Sequence, residues 1–245
     1  MLLTIDIGNT RIKCAVFEYD KILFKESFVR NDAEKKIKEI FYNFPEIVNS
    51  ISSSVGNLDK ETFLLIEKNS NLTVVSNQTR MPFQNKYSTP NTLGVDRMVL
   101  TAGASIKYPK KNCLIIDAGT CVTYDFIDEN NNYLGGAISP GIKLRYDSLH
   151  NYTAKLPLLE KKHPNNFVGN STDEAIHSGV INGVISEIEG FASQYFLKYE
   201  DLTVILTGGD AEFLAKRLKS TIFANSNFLL ESLNLLFTYV QRKND

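Results

Sequence analysis

Asp6 and Asp117 sit in matching surroundings. The run Leu-Thr-Ile-Asp6-Ile-Gly8-Asn9-Thr10 near the N-terminus is echoed by Leu-Ile-Ile-Asp117-Ala-Gly119-Thr120 in the second half of the chain. In each copy an apolar run ends in a carboxylate, a glycine and a hydroxyl-bearing turn, and a second strand-like run follows. An acid aimed into such a turn can hold a hydrated cation. Gly8 and Gly119 let the main chain approach a phosphate closely, and Thr10 and Thr120 offer hydroxyl and amide donors. Asn9 and Lys13 add a neutral donor and a cation to the first copy. The chemistry this suits is transfer of a phosphoryl group from a nucleotide. Read singly, each acid could equally satisfy turn amides and Lys13 could be a solvated strand lysine; the duplication favours the functional reading.

A third acid lies between the copies, in Tyr87-Ser-Thr-Pro90-Asn-Thr-Leu-Gly94-Val95-Asp96-Arg97, just before a helical run from Met98 to Ile106. Asp96 suits either a helix cap or a general base that accepts the proton of an attacking hydroxyl. Arg97 suits either an exposed helical position or a bidentate contact to carboxylate or phosphate. Two further segments read first as helix starts. Asp210, after Thr207-Gly208-Gly209, is a good N-cap, although the glycines would also admit a flat purine. Gly169-Asn-Ser171-Thr172-Asp-Glu174 fits a capping box, with Thr172 as a second candidate for substrate contact.

The elements needed to hold these residues recur as well. Residues 2–7, 12–19 and 22–29 alternate like a three-stranded meander, followed by a helix over 31–44, a strand at 46–52, a helix at 59–69 and a strand at 72–75. The meander returns at 113–117, 122–127 and 133–138. Helices follow at 142–151 and 172–198, then a strand at 202–206 and helices at 211–219 and 231–242. Gly179 and Gly183, four apart on the long helix, would let a second helix approach closely. The order predicts an α/β fold of two related lobes, 1–110 and 111–245, facing one cleft.

Composition narrows the partners. With 27 Lys+Arg against 28 Asp+Glu in 245 residues, no net field draws nucleic acid or an anionic membrane, and a small substrate is the better expectation. No run of the roughly 18 to 20 uncharged residues that span a bilayer is present. Met1 leads almost at once into the run bearing Asp6, so the expectation is a cytoplasmic protein. Cys14, Cys113 and Cys121 lack paired ligand spacing and read as reduced core thiols; His150, His163 and His177 read as surface or structural.

Together the motifs resemble the type III pantothenate kinases of the acetate and sugar kinase/Hsp70/actin superfamily. The resemblance rests on Asp6-x-Gly8-Asn9-Thr10-x-x-Lys13, Tyr87-x-x-Pro90-x-x-Leu93-Gly94-x-Asp96-Arg97, Asp117-Ala-Gly119-Thr120, Gly135-Gly136-x-Ile138-x-Pro140-Gly141, Thr153-x-x-Leu156-Pro157, Gly169-x-x-Thr172 and Thr207-Gly208-Gly209. It implies the actin-like ATPase, or ribonuclease H-like, fold and ATP-dependent phosphorylation of pantothenate to 4′-phosphopantothenate, the first step of coenzyme A biosynthesis. It further implies that Asp6, Gly8, Asn9, Thr10, Lys13 and Thr120 bind ATP, with Asp6 beside Mg²⁺, and that Asp96 is the proton acceptor. Tyr87, Gly94, Val95, Asp96, Arg97 and Thr172 would line the pantothenate pocket, and Asp117 would hold potassium or ammonium. A homodimer is implied, with neither nucleic acid nor membrane as partner. Two other readings stand beside it: a kinase of another small hydroxylated acceptor, or a nucleotide-binding regulatory or accessory protein.

Overall fold

A computed structural model describes residues 1–8, 11–54, 58–219 and 222–242. The elements run β1 (Leu2–Ile7), β2 (Ile12–Glu18), β3 (Lys21–Phe28), α1 (Ala33–Asn43), β4 (Asn49–Ser52), α2 (Lys60–Asn69), β5 (Asn71–Val74), β6 (Gln84–Asn85) and α3 (Val95–Lys107). There follow β7 (Cys113–Ala118), β8 (Cys121–Ile127), β9 (Asn132–Pro140), α4 (Ile142–Asn151), α5 (Thr172–His177), α6 (Gly183–Lys198), β10 (Thr203–Thr207), α7 (Ala211–Ala215), β11 (Phe223–Ala224) and α8 (Phe228–Gln241).

The two halves share one topology. The first sheet has the order β3-β2-β1-β4-β5, and the second contains β9-β8-β7-β10-β11 in the same relative order, with β6 added beside β9. In each, the strand carrying the acid pairs antiparallel with the next strand and parallel with a later one: β1 with β2 and β4, β7 with β8 and β10. Packing divides the chain differently from the repeat. One unit gathers Met1–Pro109, Asn131–Tyr133 and the segment from Asn227 onward, and the other gathers Lys110–Asn130 and Leu134–Ser226. The terminal helix thus packs with the first unit, whereas a cut at 110/111 follows the repeat.

In the first unit Leu3, Ile5 and Ile7 face Val16, Cys14 and Ile12 across the β1–β2 register, and this face is covered by Ile37 and Ile40 of α1 and Ile66 of α2. Each such fully buried aliphatic side chain contributes about 1.5–3 kcal/mol relative to exposure. The opposite face of the same register carries Leu2, Thr4 and Asp6 against Phe17, Ala15 and Lys13, and α8 packs against β1, β2 and β4. So one strand pair gives its apolar file to a core and ends its other file in a charged pair. Helix α3 is buried from Arg97 to Ser105. It crosses α8 so tightly that a Cβ on Gly103 would lie 1.9 Å from Ser232 Oγ and 3.0 Å from Ser232 Cα.

In the second unit Leu114, Ile116 and Ala118 of β7 and Val122, Tyr124 and Phe126 of β8 form a core with Ile176, Val180, Val184 and Ile188. The long helix expected over 172–198 is interrupted by a wide turn at Ser178–Asn182. The helix expected at 211–219 ends at Ala215, and α8 begins at Phe228, earlier than expected, because Phe228, Leu229 and Leu230 are buried. Asp59 caps α2, its Oδ1 accepting from Thr62 N at 2.8 Å. No described helix is long and apolar enough to cross a membrane.

Candidate active site

Asp6 is the penultimate residue of β1, directly opposite Lys13 on β2. Only 8% of Asp6 is exposed, and its Oδ1 accepts a hydrogen bond from Ser53 Oγ at 3.0 Å. Ser53 arrives because β4 pairs parallel with β1 and Ser53 N continues that ladder to Ile5 O at 3.1 Å. Burial lifts the Asp6 pKa above the usual carboxylate range; Lys13 and Ser53 pull it back, and the charge of Asp96 pushes it up again. Lys13 and Asp96 thus both act on Asp6 within this unit. The turn after β1 is closed by Gly8 N donating to Arg11 O at 3.1 Å. Asn9 and Thr10 lie outside the described residues.

Asp96 is at the second position of α3, and the N-cap is Gly94, which has no side chain to cap with. The capping alternative for Asp96 is therefore corrected: its Oδ1 instead accepts from the neighbouring Arg97 N at 2.9 Å. This folds the carboxylate back over Gly94, where an added Cβ would lie 2.5 Å from Asp96 Oδ1. Arg97, read as exposed in one of its two alternatives, is only 6% exposed, with its Cζ 5.6 Å from the Tyr87 ring centroid. Tyr87 in turn tilts against Tyr133 at 6.0 Å, and Phe83 meets Tyr133 at 5.8 Å. Val95 opens α3. One prediction arises directly. Gly94→Ala forces the Asp96 carboxylate to rotate, which is easy for a side-chain end, so the melting temperature holds while kcat falls by about 10²-fold from misplacement of the acid. Paired thermal melts and steady-state rates check it; a wild-type kcat would show that this position of the carboxylate is immaterial.

In the second unit, Asp117 is the penultimate residue of β7, opposite Thr123. The lysine of the first copy has no counterpart there, and Thr123 Oγ1 is buried with no hydrogen-bond partner among the described residues. Gly208 adopts φ +97°, and a Cβ on it would lie 2.3 Å from both Asp117 Oδ1 and Ala118 O. These two oxygens press close on the Gly208 Cα, so only glycine fits there. Gly141 packs on the turn itself: its N donates to Thr120 O at 3.0 Å, and a Cβ would lie 2.1 Å from Gly119 O. Thr120 and Thr172 are both exposed. Ser171, not Thr172, caps α5, accepting from Glu174 N at 3.3 Å. Asp210 makes no side-chain cap; its carboxylate is taken by Lys161.

Of the candidate residues, Asp6, Gly8, Lys13, Tyr87, Gly94, Val95, Asp96 and Arg97 fall in the first unit, and Asp117, Thr120 and Thr172 in the second. Burial and the charges of Asp6 and Glu26 push the Cys14 thiol up, and burial pushes Cys113 up to about 12, so both are inert thiols. His177 is a buried partner of Tyr146 at 2.8 Å, and His163 stacks on Phe213 at 3.8 Å. No described group of three or more His, Cys, Asp or Glu forms a metal cage. The donor set fits Mg²⁺ bound mainly by substrate phosphates, with Asp6 as the protein carboxylate. At Asp117, a carboxylate, a carbonyl and an orphaned hydroxyl suit a cation of low charge. Ser53, Tyr133 and Thr123 were not anticipated; the Ser52–Ser54 run at a strand end was the one available signal.

A twice-used sheet topology, with an acid and a glycine turn at the end of the first strand of each copy, defines the fold of the actin-like ATPase class. Similar solved structures share the fold. They include a Baf family transcriptional activator from Campylobacter jejuni (TM-score 0.55, 21% identity, 99% of this chain and 98% of that one). Another is the activator of 2-hydroxyisocaproyl-CoA dehydratase from Clostridium difficile with bound ADPNP (TM-score 0.56, 11% identity, 99% and 96%). The type III pantothenate kinase profile matches residues 2–194, and the type III pantothenate kinase of Flavobacterium johnsoniae is 57% identical over 98% of both chains. The chain belongs to the type III pantothenate kinase family.

Proposed function

We propose that Asp96 is the general base in the family's reaction, the ATP-dependent phosphorylation of pantothenate in coenzyme A biosynthesis. The observation that carries this is the coupling of Asp96 to the Asp6–Lys13 pair, with its carboxylate held over Gly94 by the Arg97 amide. As the 4′-hydroxyl of pantothenate attacks, Asp96 takes its proton, the new O–P bond forms, and the bond from the γ-phosphorus to its bridging oxygen breaks to release ADP. Lys13, with Gly8, Asn9 and Thr10, holds the phosphates from the first turn, and Thr120 holds them from the second. Bound at Asp6, Mg²⁺ supplies neutralisation of charge on the transferring group. Tyr87, Gly94, Val95, Arg97 and Thr172 form the pantothenate pocket, with Tyr133 behind Tyr87.

Asp117 would hold potassium or ammonium, since the first copy has a lysine opposite its acid and the second does not. The chain works as a cytoplasmic homodimer; Gly179 is exposed, with nothing within 4 Å of an added Cβ, so it leaves room for a partner helix. The duplicated lobes are assigned to 1–110 and 111–245.

A coupled ADP-release assay with Mg²⁺-ATP and pantothenate tests these assignments. The expected result is pantothenate-dependent release that requires potassium or ammonium and drops at least tenfold in sodium alone. Release of equal rate in all three salts would remove the cation from Asp117. No pantothenate-dependent release in any salt would overturn the reaction.

A further inference from the structure

Arg30 sits just past β3, in a short turn at Arg30–Asp32. Its side chain reaches back to the first glycine turn, where Nη2 donates to Gly8 O at 3.0 Å. The guanidinium is half-buried and forms no ion pair among the described residues. Its Nε is buried with no hydrogen-bond partner among the described residues. A buried N–H is normally paired, and an arginine is normally matched to an anion when it is withdrawn from water. Arg11, the residue after Thr10, is by contrast turned to the β3 side, with Nε on Ser27 Oγ at 2.9 Å and Nη2 on Ser27 O at 2.6 Å. Of the two arginines at this turn, Arg30 is the one whose Nε is both buried and unpartnered among the described residues.

We infer that Arg30 is a second cationic residue of the nucleotide site: Nη2 fixes the Gly8 carbonyl, and Nε is satisfied by a phosphate oxygen of the bound nucleotide. The inference rests on the nucleotide assignment of the Gly8 turn. It follows from the charges already placed there. Asp6 and Asp96 are both negative and offset the positive charge of Lys13 and Arg11, so a nucleotide polyphosphate arriving at this turn gains from a further cation. A guanidinium already held through one arm to the turn's own carbonyl supplies that charge. Since Arg30 contacts Gly8 rather than the acceptor, its loss falls on the nucleotide and leaves the pantothenate side alone.

The test uses the full chain with Arg30→Lys and Arg30→Gln. The expected result is a KM for ATP raised about tenfold or more in Arg30→Gln and less in Arg30→Lys, with the KM for pantothenate within twofold of wild type in both. A structural role would not move a second readout, the side-chain Nε–H resonance of Arg30 in ¹⁵N-arginine-labelled protein, assigned by its loss in Arg30→Lys. It shifts when Mg²⁺-ADP is added and stays in place with adenosine. If wild type binds ADP and the resonance does not move, or if both variants keep a wild-type KM for ATP, the role of Arg30 is overturned while the turn's assignment stands. If wild type binds no ADP at all, the nucleotide assignment and this inference fall together.

Discussion

Asp96→Asn lowers kcat by a factor of about 10²–10⁴ while the KM for ATP stays near wild type. The substitution is close to isosteric, and an Asn oxygen can still accept from Arg97 N, the bond that at 2.9 Å now holds the carboxylate. What is lost is the ability to take a proton. Because Asp96 is exposed in the first turn of α3 and does not cap it, the helix needs little else from this side chain. Arg97 remains against the Tyr87 ring, so the proposed acceptor side keeps its shape. Steady-state kinetics with both substrates saturating, alongside a nucleotide-binding titration, separate the two effects. A kcat close to wild type would show that another group takes the proton; a collapse in nucleotide affinity would move Asp96 from proton transfer to phosphate binding.

What could be read without coordinates was whatever local chain chemistry determines. Period-two alternation fixed both meanders, because the apolar file of β1 and β2 is the file that packs on α1 and α2. The duplicated acid–glycine turns were visible for the same reason: acid, turn and returning strand are contiguous. Ser53, by contrast, reaches Asp6 only through the parallel pairing of β4 with β1, and Tyr133 reaches Tyr87 only through folding of a distant segment. No local pattern encodes either register. The wide turn at Ser178–Asn182 escaped notice since five residues leave the apolar spacing of the flanking helices intact. Asp210 shows the reverse failure: its position suits a cap, but Lys161 takes its carboxylate, a competition that sequence spacing does not reveal.

Asp6→Asn abolishes measurable turnover and leaves the ligand-free protein as stable as wild type or more so. The two effects share one cause. Asp6 is withdrawn from water with a single described hydrogen-bond donor, and burial outweighs the help of Lys13 and Ser53, so its pKa is raised. A carboxylate with a raised folded pKa binds its proton more tightly folded than unfolded. Its contribution to stability therefore falls as pH rises through that range and is at its lowest at neutral pH. Asparagine removes the buried charge and its repulsion from Asp96, and its side-chain oxygen can still accept from Ser53. A gain of ~1 kcal/mol would raise the melting temperature by roughly 2–4 °C in a chain of this size. Mg²⁺-ADP should then reverse the ranking: it stabilises wild type, whose Asp6 gains a counter-charge, and gives the variant little or no shift. Thermal melts of both proteins with and without Mg²⁺-ADP decide the matter. If Asp6→Asn melts well below wild type without ligand, Asp6 is a structural acid satisfied by its neighbours. If the variant melts like wild type but keeps the full Mg²⁺-ADP shift, the carboxylate is strained for some purpose other than the nucleotide's metal.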